Sequence, residues 1–276
     1  MKKYLSVFIK ISGFFALWIL LVALQSIPAV SEPAFTVGNT PIRRFWRELL
    51  PLISVAIVTF IFIRIVEKDS LKIKLLNETG KNSALGVLTG IEWIGIPVLI
   101  LYAAGFFHFG AVDNIPYLYV WIVSALLNVI MQEYLVRGYI FELLKREYNL
   151  TASIIVTTAI FTLFHGGAFE AGIIAVLNVI TMSVFMSLLL VHTKSLLAPI
   201  IAHAVWNITG SLLGCVSLAS DYPVLINSTI TGGKIISGGT YKLEGSVFVL
   251  LANMVNITAL SVLIRKKAVP GITQQT

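Results

Sequence analysis

The chain has 276 residues, of which 57% are hydrophobic and only 12% are charged. Since soluble domains carry about 25% charged residues, this composition excludes an ordinary soluble domain and predicts a polytopic membrane protein. The formal net charge is +7, but no basic patch interleaved with aromatic residues lies outside the apolar runs, so we expect no nucleic-acid binding.

Apolar runs long enough to cross a bilayer follow one another along the chain. They cover approximately residues 11–29, 49–66, 85–107, 117–148, 152–167, 171–191, 195–217 and 246–264. The sequence therefore predicts an all-α polytopic membrane protein with about eight transmembrane helices. The first run is also consistent with a secretory signal, but we favour an uncleaved anchor because a second span follows directly.

The distribution of lysine and arginine predicts how these helices are oriented. With both termini inside, most basic residues flank the cytoplasmic ends of the spans, as the positive-inside rule requires. The outer loops then hold Arg43, Arg44, Arg47, Lys234 and Lys242. We predict an N-in/C-in topology, in which the three outer arginines are a local conflict with the rule.

The predicted helices fall into two regions of the chain. Residues 1–110 hold the N-terminal transmembrane helices 1–3, and residues 115–264 hold a core of helices 4–8. Within this core, residues 218–245 form an extracytoplasmic loop rich in Gly, Ser and Thr. Residues 265–276 follow the core as a cytoplasmic tail.

The fourth predicted span carries a polar stretch that begins at Gln132 and ends at Gly138. Within it, Glu133 and Arg137 are four residues apart, so they lie on one helix face, one turn apart. Gln132 points about 100° away from them. Ionised groups inside a membrane are costly and by default indicate function, although a snorkelling pair at the helix end is the structural alternative.

Two later spans repeat this four-residue spacing. Phe161 and His165 lie in the fifth span, and His203 and Asn207 lie in the seventh. Each pair is also compatible with a purely structural role, because polar side chains link membrane helices by hydrogen bonds. We predict that these side chains meet Glu133 in a polar cavity between helices four, five and seven.

A cavity of this composition supports two kinds of chemistry. Glu133, His165, His203 and Asn207 could together activate a water and stabilise an oxyanion. Alternatively, Glu133, His165 and His203 could be three ligands of a catalytic zinc ion with an open fourth position. The residue types and their spacing leave both possibilities open.

The three motifs resemble those of the CAAX prenyl protease and bacteriocin-processing membrane protease family, also called the Abi family. That family carries Glu-Glu-x-x-x-Arg, Phe-x-x-x-His and His-x-x-x-Asn in this order, and the matching positions lie in roughly residues 115–210 here. The resemblance implies an eight-helix intramembrane endopeptidase, usually classed as a metalloprotease, with a cavity that opens into the bilayer.

The resemblance also implies a role for each matched residue. The first Glu of motif one acts in the family as the general base, paired with the motif-two histidine, which corresponds to His165. His203 and Asn207 would hold the scissile carbonyl or its oxyanion, and Arg137 would fix the motif-one carboxylate.

The chain departs from the family at the position of the base. Gln132 stands where the first Glu is expected, and a carboxamide cannot accept a proton as a base. Either Glu133 has taken over that role, or the protein binds its partner without cutting it. We favour catalysis, because the remaining buried polar residues of all three motifs are present and would be costly to keep unused.

We therefore predict an intramembrane endopeptidase in the plasma membrane, with either zinc or no cofactor. Its substrate would be a membrane-associated or lipid-anchored peptide or protein reached from the lipid bilayer. The main alternative is a non-catalytic scaffold or bacteriocin self-immunity protein that binds a peptide or partner in the same cavity. A small transporter is a weaker alternative, because no matching inverted halves are visible.

Overall fold

The computed structural model describes residues 2–268, with side chains described for residues 3–267. The α-helices in this part are α1 (Lys2–Ala23), α2 (Pro28–Ser31), α3 (Thr40–Ile61), α4 (Thr79–Ala103), α5 (Leu118–Tyr134), α6 (Phe141–Glu147), α7 (Leu150–Phe164), α8 (Gly166–Ala171), α9 (Ile173–Thr193), α10 (Leu197–Leu212), α11 (Lys234–Ser237) and α12 (Val247–Ala268). Part of the predicted tail, residues 269–276, lies outside the described residues.

Shorter elements connect these helices. Two segments are π-helical, Phe62–Val66 and Leu135–Ile140, and three are 3-10 helical, Leu24–Ser26, Ala34–Thr36 and Gly239–Gly245. Strands β1 (Phe107–His108) and β2 (Thr229–Ile230) pair antiparallel, with Phe107 opposite Ile230 and His108 opposite Thr229.

Six helices in the described part of the chain are long and apolar enough to cross a membrane. These are Lys3–Ser26, Thr40–Val66, Thr79–Ala103, Leu118–Glu147, Ile173–Thr193 and Gly239–Lys267. The prediction of an all-α, multi-pass membrane protein is thereby confirmed. The count of about eight spans and the N-in/C-in orientation stay predictions.

The two remaining predicted spans are short helices: the fifth has nearly its predicted length, and the seventh, predicted over residues 195–217, is much shorter than predicted. Helix α7 has 15 residues and α10 has 16, which is about 22–24 Å at 1.5 Å per residue and less than a hydrocarbon core of about 30 Å. The fifth ends early because His165 leaves the helical conformation (φ −100°, ψ 53°) just before two glycines. These two short helices carry motifs two and three.

The contacts of the chain divide it into two compact units, and each is discontinuous in sequence. Unit 1 comprises the described residues up to Ile73 together with Asp113–Thr157 and Leu218–Leu225. Unit 2 comprises Lys74–Val112, Thr158–Ser217 and the described residues from Ile226 onward. The predicted division into residues 1–110 and 115–264 stays a prediction.

Unit 1 is built around α3, which packs against α5 and α1. Its aromatic core stacks Phe14 on Tyr139, with ring centroids 5.0 Å apart, and Phe62 meets the edge of both rings at 5.3 Å. At one end of α3, the arginines that the predicted topology places outside have acidic partners: Arg47 pairs with Glu32 at 2.6 Å. The local conflict in the basic-residue pattern is therefore a set of paired charges.

Unit 2 is built from α4, α9, α10 and α12. Helix α4 packs along α10, and α12 packs along α9. The rings of Trp93 in α4 and Trp206 in α10 stack with centroids 4.2 Å apart. Asn253 in α12 accepts a hydrogen bond from the indole N–H of Trp93 at 2.7 Å, so neutral polar contacts join the apolar packing.

Candidate active site

Motif one forms a buried ion pair in unit 1. Glu133 lies in the last turn of α5, and Arg137 lies in the π-helical segment that follows. One guanidinium nitrogen, Nη1 of Arg137, donates to both carboxylate oxygens of Glu133 at 3.0 and 2.9 Å. Both side chains are 0% exposed, so the pair is enclosed by protein and does not snorkel at a helix end.

The backbone around Arg137 is not the regular α-helix that the sequence predicted for residues 117–148. Residues Leu135–Ile140 make one wider π-helical turn, and Gly138 within it adopts φ −81°, ψ −110°. A Cβ atom at Gly138 would lie 3.3 Å from the ring of Tyr134. Single π-turns inside α-helices occur frequently at functional sites, and this one contains the arginine of motif one.

Gln132 takes part in a different network from Glu133. Its Nε2 donates to Oδ1 of Asn128 at 2.5 Å, and Nδ2 of Asn128 donates to Oε2 of Glu48 in α3 at 2.8 Å. The other oxygen of Glu48 accepts from Nη1 of Arg44 at 3.1 Å, and Arg44 is also bound to Asp221. We call Arg44, Glu48, Asn128 and Gln132 the polar chain; it lies wholly in unit 1.

Motif two places an oriented imidazole at the end of α7 in unit 2. Nδ1 of His165 lies 2.8 Å from the backbone oxygen of Phe161. Because a carbonyl oxygen only accepts hydrogen bonds, Nδ1 carries the proton, and in the neutral ring Nε2 is the nitrogen that can take up a proton. The ring of Phe161 is 4.2 Å from that of His165 and 6.3 Å from that of His203, which explains the spacing of the motif.

Motif three lies on α10 in unit 2. His203 and Asn207 are both buried and face the same side of the helix, as their four-residue spacing predicts. Helix α10 is held close to α4 by two glycines of α4. A Cβ atom at Gly90 would come within 2.6 Å of Cβ of Val205 and 2.8 Å of the carbonyl oxygen of Ala202.

A second contact fixes α10 from the side of its tryptophan. The carboxyl group of Glu244 accepts hydrogen bonds from the side chain of Trp206 and from the backbone N–H of Ser217. The backbone oxygen of Glu244 accepts a further hydrogen bond from Nδ2 of Asn178 at 2.8 Å. The segment around Glu244, which the sequence predicted as part of a loop, therefore helps to position the helix that carries His203.

The predicted site residues thus form one set in each unit. Unit 1 brings together Glu133 and Arg137 and directs Gln132 into the polar chain. Unit 2 brings together His165 and His203 around Phe161, with Asn207 one turn beyond His203 on α10. The predicted cavity between helices four, five and seven draws on residues of both units and stays a prediction.

Four positions that bear on the site were not recognised in the sequence. Asn128 is a polar residue inside an apolar run, which is itself a signal, and Glu48 directly precedes one. Their partnership, however, spans 80 residues and has no local pattern. Gly86 and Gly90 form a Gly-x-x-x-Gly pattern, the kind that brings membrane helices close together, and this pattern could have been read directly.

A metal site can be tested against the same residues. Among the described residues, no group of three or more His, Cys, Asp or Glu side chains is arranged to hold a metal ion. Glu133, one of the three predicted ligands, already binds the guanidinium of Arg137 through both oxygens. Zinc stays a prediction, and no step proposed below depends on it.

Comparison with known protein families gives a match that covers the segment carrying all three motifs. Residues 114–209 match the family described as Type II CAAX prenyl endopeptidase Rce1-like. The resemblance to CAAX prenyl proteases is therefore confirmed for this segment, and it favours a protease among membrane proteins. No curated protein and no solved structure matches the chain.

Proposed function

We propose that the protein is an intramembrane endopeptidase of the CAAX type that hydrolyses a peptide bond in a membrane-associated or lipid-anchored substrate. The observation that carries this proposal is the family match over residues 114–209, because that segment contains motifs one, two and three in order. The buried, paired state of Glu133 and the oriented imidazole of His165 support it.

The proposed reaction uses side chains alone. The oxygen of a water attacks the scissile carbonyl carbon while Glu133 accepts its proton and Nε2 of His165 accepts a hydrogen bond from the same water. His203 and Asn207 donate hydrogen bonds to the oxyanion that forms. Collapse of the tetrahedral intermediate breaks the C–N bond, and the proton passes to the leaving amine. The overall reaction converts a peptide bond and one water into a carboxylic acid and an amine.

The geometry of Glu133 is compatible with this role. Nη1 of Arg137 donates to both carboxylate oxygens of Glu133. The ion pair holds the carboxylate in one orientation, which is the positioning that an acid–base group requires. We therefore propose that Arg137 is a positioning residue that orients Glu133.

A non-catalytic function is the second candidate, and a specific observation supports it. The position of the family's base is Gln132, and its carboxamide belongs to the polar chain with Asn128 and Glu48. A protein of this kind would bind a peptide or partner as a scaffold or a bacteriocin self-immunity protein. In both cases we propose the plasma membrane as its location and a membrane peptide, not a nucleic acid, as its partner.

A cleavage assay separates the two candidates. Purified wild type, Glu133→Gln, His203→Ala and Gln132→Glu proteins are incubated in detergent micelles with a library of membrane peptides, and products are read by mass spectrometry. Loss of a general base or of an oxyanion donor costs about 100-fold or more in rate, so we expect cleavage by wild type and at least about 100-fold slower cleavage by Glu133→Gln and His203→Ala. Glu142→Gln, a partly exposed carboxylate paired with Lys145 and outside the three motifs, is the control and should cleave normally.

The opposite result is equally clear. Cleavage by Gln132→Glu alone, with an inactive wild type, would identify the natural protein as a binder that has lost its base. Equal cleavage by wild type and Glu133→Gln would remove Glu133 from the mechanism.

A further inference from the structure

All the hydrogen bonds of the polar chain are donated toward Glu48. Arg44 donates to Glu48, Asn128 donates to Glu48 from the other side, and Gln132 donates to Asn128. Glu48 is buried, and as a carboxylate it can only accept. Every amide in the chain must therefore turn its N–H group toward Glu48.

This direction decides which atom of the Gln132 carboxamide, Nε2 or Oε1, lies on the side away from Asn128. With Nδ2 of Asn128 turned to Glu48, its Oδ1 faces Gln132 and requires a donor, which is Nε2. The oxygen of Gln132 then points away from the polar chain. That Oε1 is buried and has no hydrogen-bond partner among the described residues, which is a costly state for a polar atom unless something binds it.

We propose that Glu48 and Asn128 are positioning residues that fix Gln132 as a hydrogen-bond acceptor for the attacking water. The inference rests on the proposed endopeptidase function and deepens it. A glutamine can orient a water for attack without taking its proton, so Gln132 would supply orientation and Glu133 would supply the base. Glu48 would then take the place of the carboxylate that is missing at position 132, and it would act on Gln132 through the carboxamide of Asn128.

The substitution that restores the family motif should disturb the polar chain. In Gln132→Glu, a carboxylate at 132 and the carboxylate of Glu48 compete for the single N–H face of Asn128. One of them must face the oxygen of Asn128, which is an acceptor opposite an acceptor. Glu48→Gln reverses the direction of these hydrogen bonds. Arg44 holds the oxygen of the new carboxamide, so the N–H group of that carboxamide faces Asn128. Asn128 can then donate to position 132.

The test is a double-mutant cycle on Glu48 and Gln132, measured as kcat and KM for a peptide that the wild type cleaves. We expect kcat to fall about tenfold in Glu48→Gln and in Gln132→Glu, with KM little changed. The double variant should recover about tenfold over Gln132→Glu, because a coupling of this size is typical of residues in one hydrogen-bond network. Glu142→Gln combined with Gln132→Glu is the matched control and should give no recovery.

A second readout does not require activity. Thermal unfolding in detergent micelles should show a lower Tm for Gln132→Glu and a return toward the wild-type Tm in the double variant. Additive losses in both kcat and Tm would overturn the proposal and leave Glu48 a structural residue. Recovery of Tm without any cleavage by any variant would support the directed polar chain and reject the endopeptidase function and the water-orienting role of Gln132 with it.

Discussion

The two units hold their candidate site residues by different physical means. In unit 1, motif one and its surroundings are charged groups in pairs: Glu133 with Arg137, and Glu48 with Arg44. In unit 2, the histidines depend on close packing and neutral hydrogen bonds, as in the glycine contact of α4 with α10 and the stacking of Trp93 on Trp206.

This difference follows from the chemistry that each set is proposed to perform. A carboxylate in a membrane protein needs a cation to offset its loss of hydration, so the candidate base comes with an arginine. An imidazole can stay neutral and needs only a fixed ring plane. Unit 1 should therefore respond most to the removal of charge, and unit 2 to changes of volume at helix contacts.

The largest effect should come from breaking the buried pair of unit 1. Arg137→Ala leaves the Glu133 carboxylate buried without its cation, and breaking such a pair costs about 3–5 kcal/mol. We expect a sharp loss of purified yield and a much lower Tm in micelles. The double variant Arg137→Ala, Glu133→Ala, which removes both charges, should recover part of the stability.

The control for this prediction is an exposed ion pair in the same unit. Arg64 pairs with Asp69 at 2.9 Å, and both side chains are more than half exposed. Because exposed pairs contribute only about 0–1 kcal/mol, Arg64→Ala should unfold almost as the wild type does. Similar losses in the two variants would mean that the pair of Glu133 and Arg137 is solvated and not a buried element of unit 1.

The next effect should come from adding one methyl group to unit 2. In Gly90→Ala the new Cβ would lie 2.8 Å from a backbone oxygen of α10, which cannot move aside without shifting the helix that carries His203. Overpacking of this kind costs about 1–3 kcal/mol, and we expect both a lower Tm and a lower kcat. The measurement is unfolding and cleavage in the same preparation.

Gly95→Ala is the matched control on the same helix. Nothing lies within 4 Å of a Cβ atom at Gly95, and both substitutions gain the same intrinsic helix propensity. The difference between the two variants therefore isolates the contact with α10. If Gly90→Ala is as stable and active as Gly95→Ala, then motif three does not depend on this packing.

The sequence was sufficient to predict the parts of the molecule that have local patterns. Hydropathy predicted a multi-pass helical protein, and the four-residue spacing predicted that Glu133 and Arg137 meet on one face. The wider turn at Leu135–Ile140 was not predictable in this way, because the residues of this segment are nearly all apolar and leave no periodic pattern that an inserted residue could shift. The end of α7 was placed three residues too late, at Gly167, although His165 and the following glycines mark it.

The polar chain shows why other parts of the site could not be predicted. Glu48 directly precedes the second predicted span and Asn128 lies in the fourth, and only the packing of α3 against α5 makes them partners. Hydrogen-bond direction depends in turn on which member is a carboxylate. The sequence gives the residue types, but the partnership is a property of the packed unit.

A smaller effect should appear at the charged cluster around Glu67, which follows the span that ends at Val66. Burial raises the pKa of the Glu67 carboxyl, but hydrogen bonds from Lys10, Arg146 and Tyr139 outweigh it and hold the pKa below its ordinary value of 4.5. Glu67→Gln should lower stability at pH 7 by about 1–2 kcal/mol, near the contribution of a hydrogen bond to a charged group.

The pH dependence of this effect has a definite sign. A depressed carboxyl pKa stabilises the folded state fully above the unfolded value and less as the pH falls through the folded value. The Tm difference between wild type and Glu67→Gln should therefore be constant from pH 7 to about pH 5 and shrink below about pH 4.5. A difference that grows on acidification would mean that Glu67 is not held ionised by its partners.

The smallest effect should come from the aromatic contact within unit 2. Phe161→Leu keeps the backbone oxygen that receives the hydrogen bond of His165 but removes the ring that packs on both imidazoles. Aromatic contacts contribute about 0.5–1.5 kcal/mol beyond burial, so we expect a small fall in Tm and a fall in kcat of about fivefold. Leu163→Ala, at a 72% exposed position of the same helix, should change neither. A loss of activity in Phe161→Leu as large as in His203→Ala would mean that the ring takes part in the chemistry and does not only pack. Packing would then not be sufficient to explain how unit 2 holds its histidines.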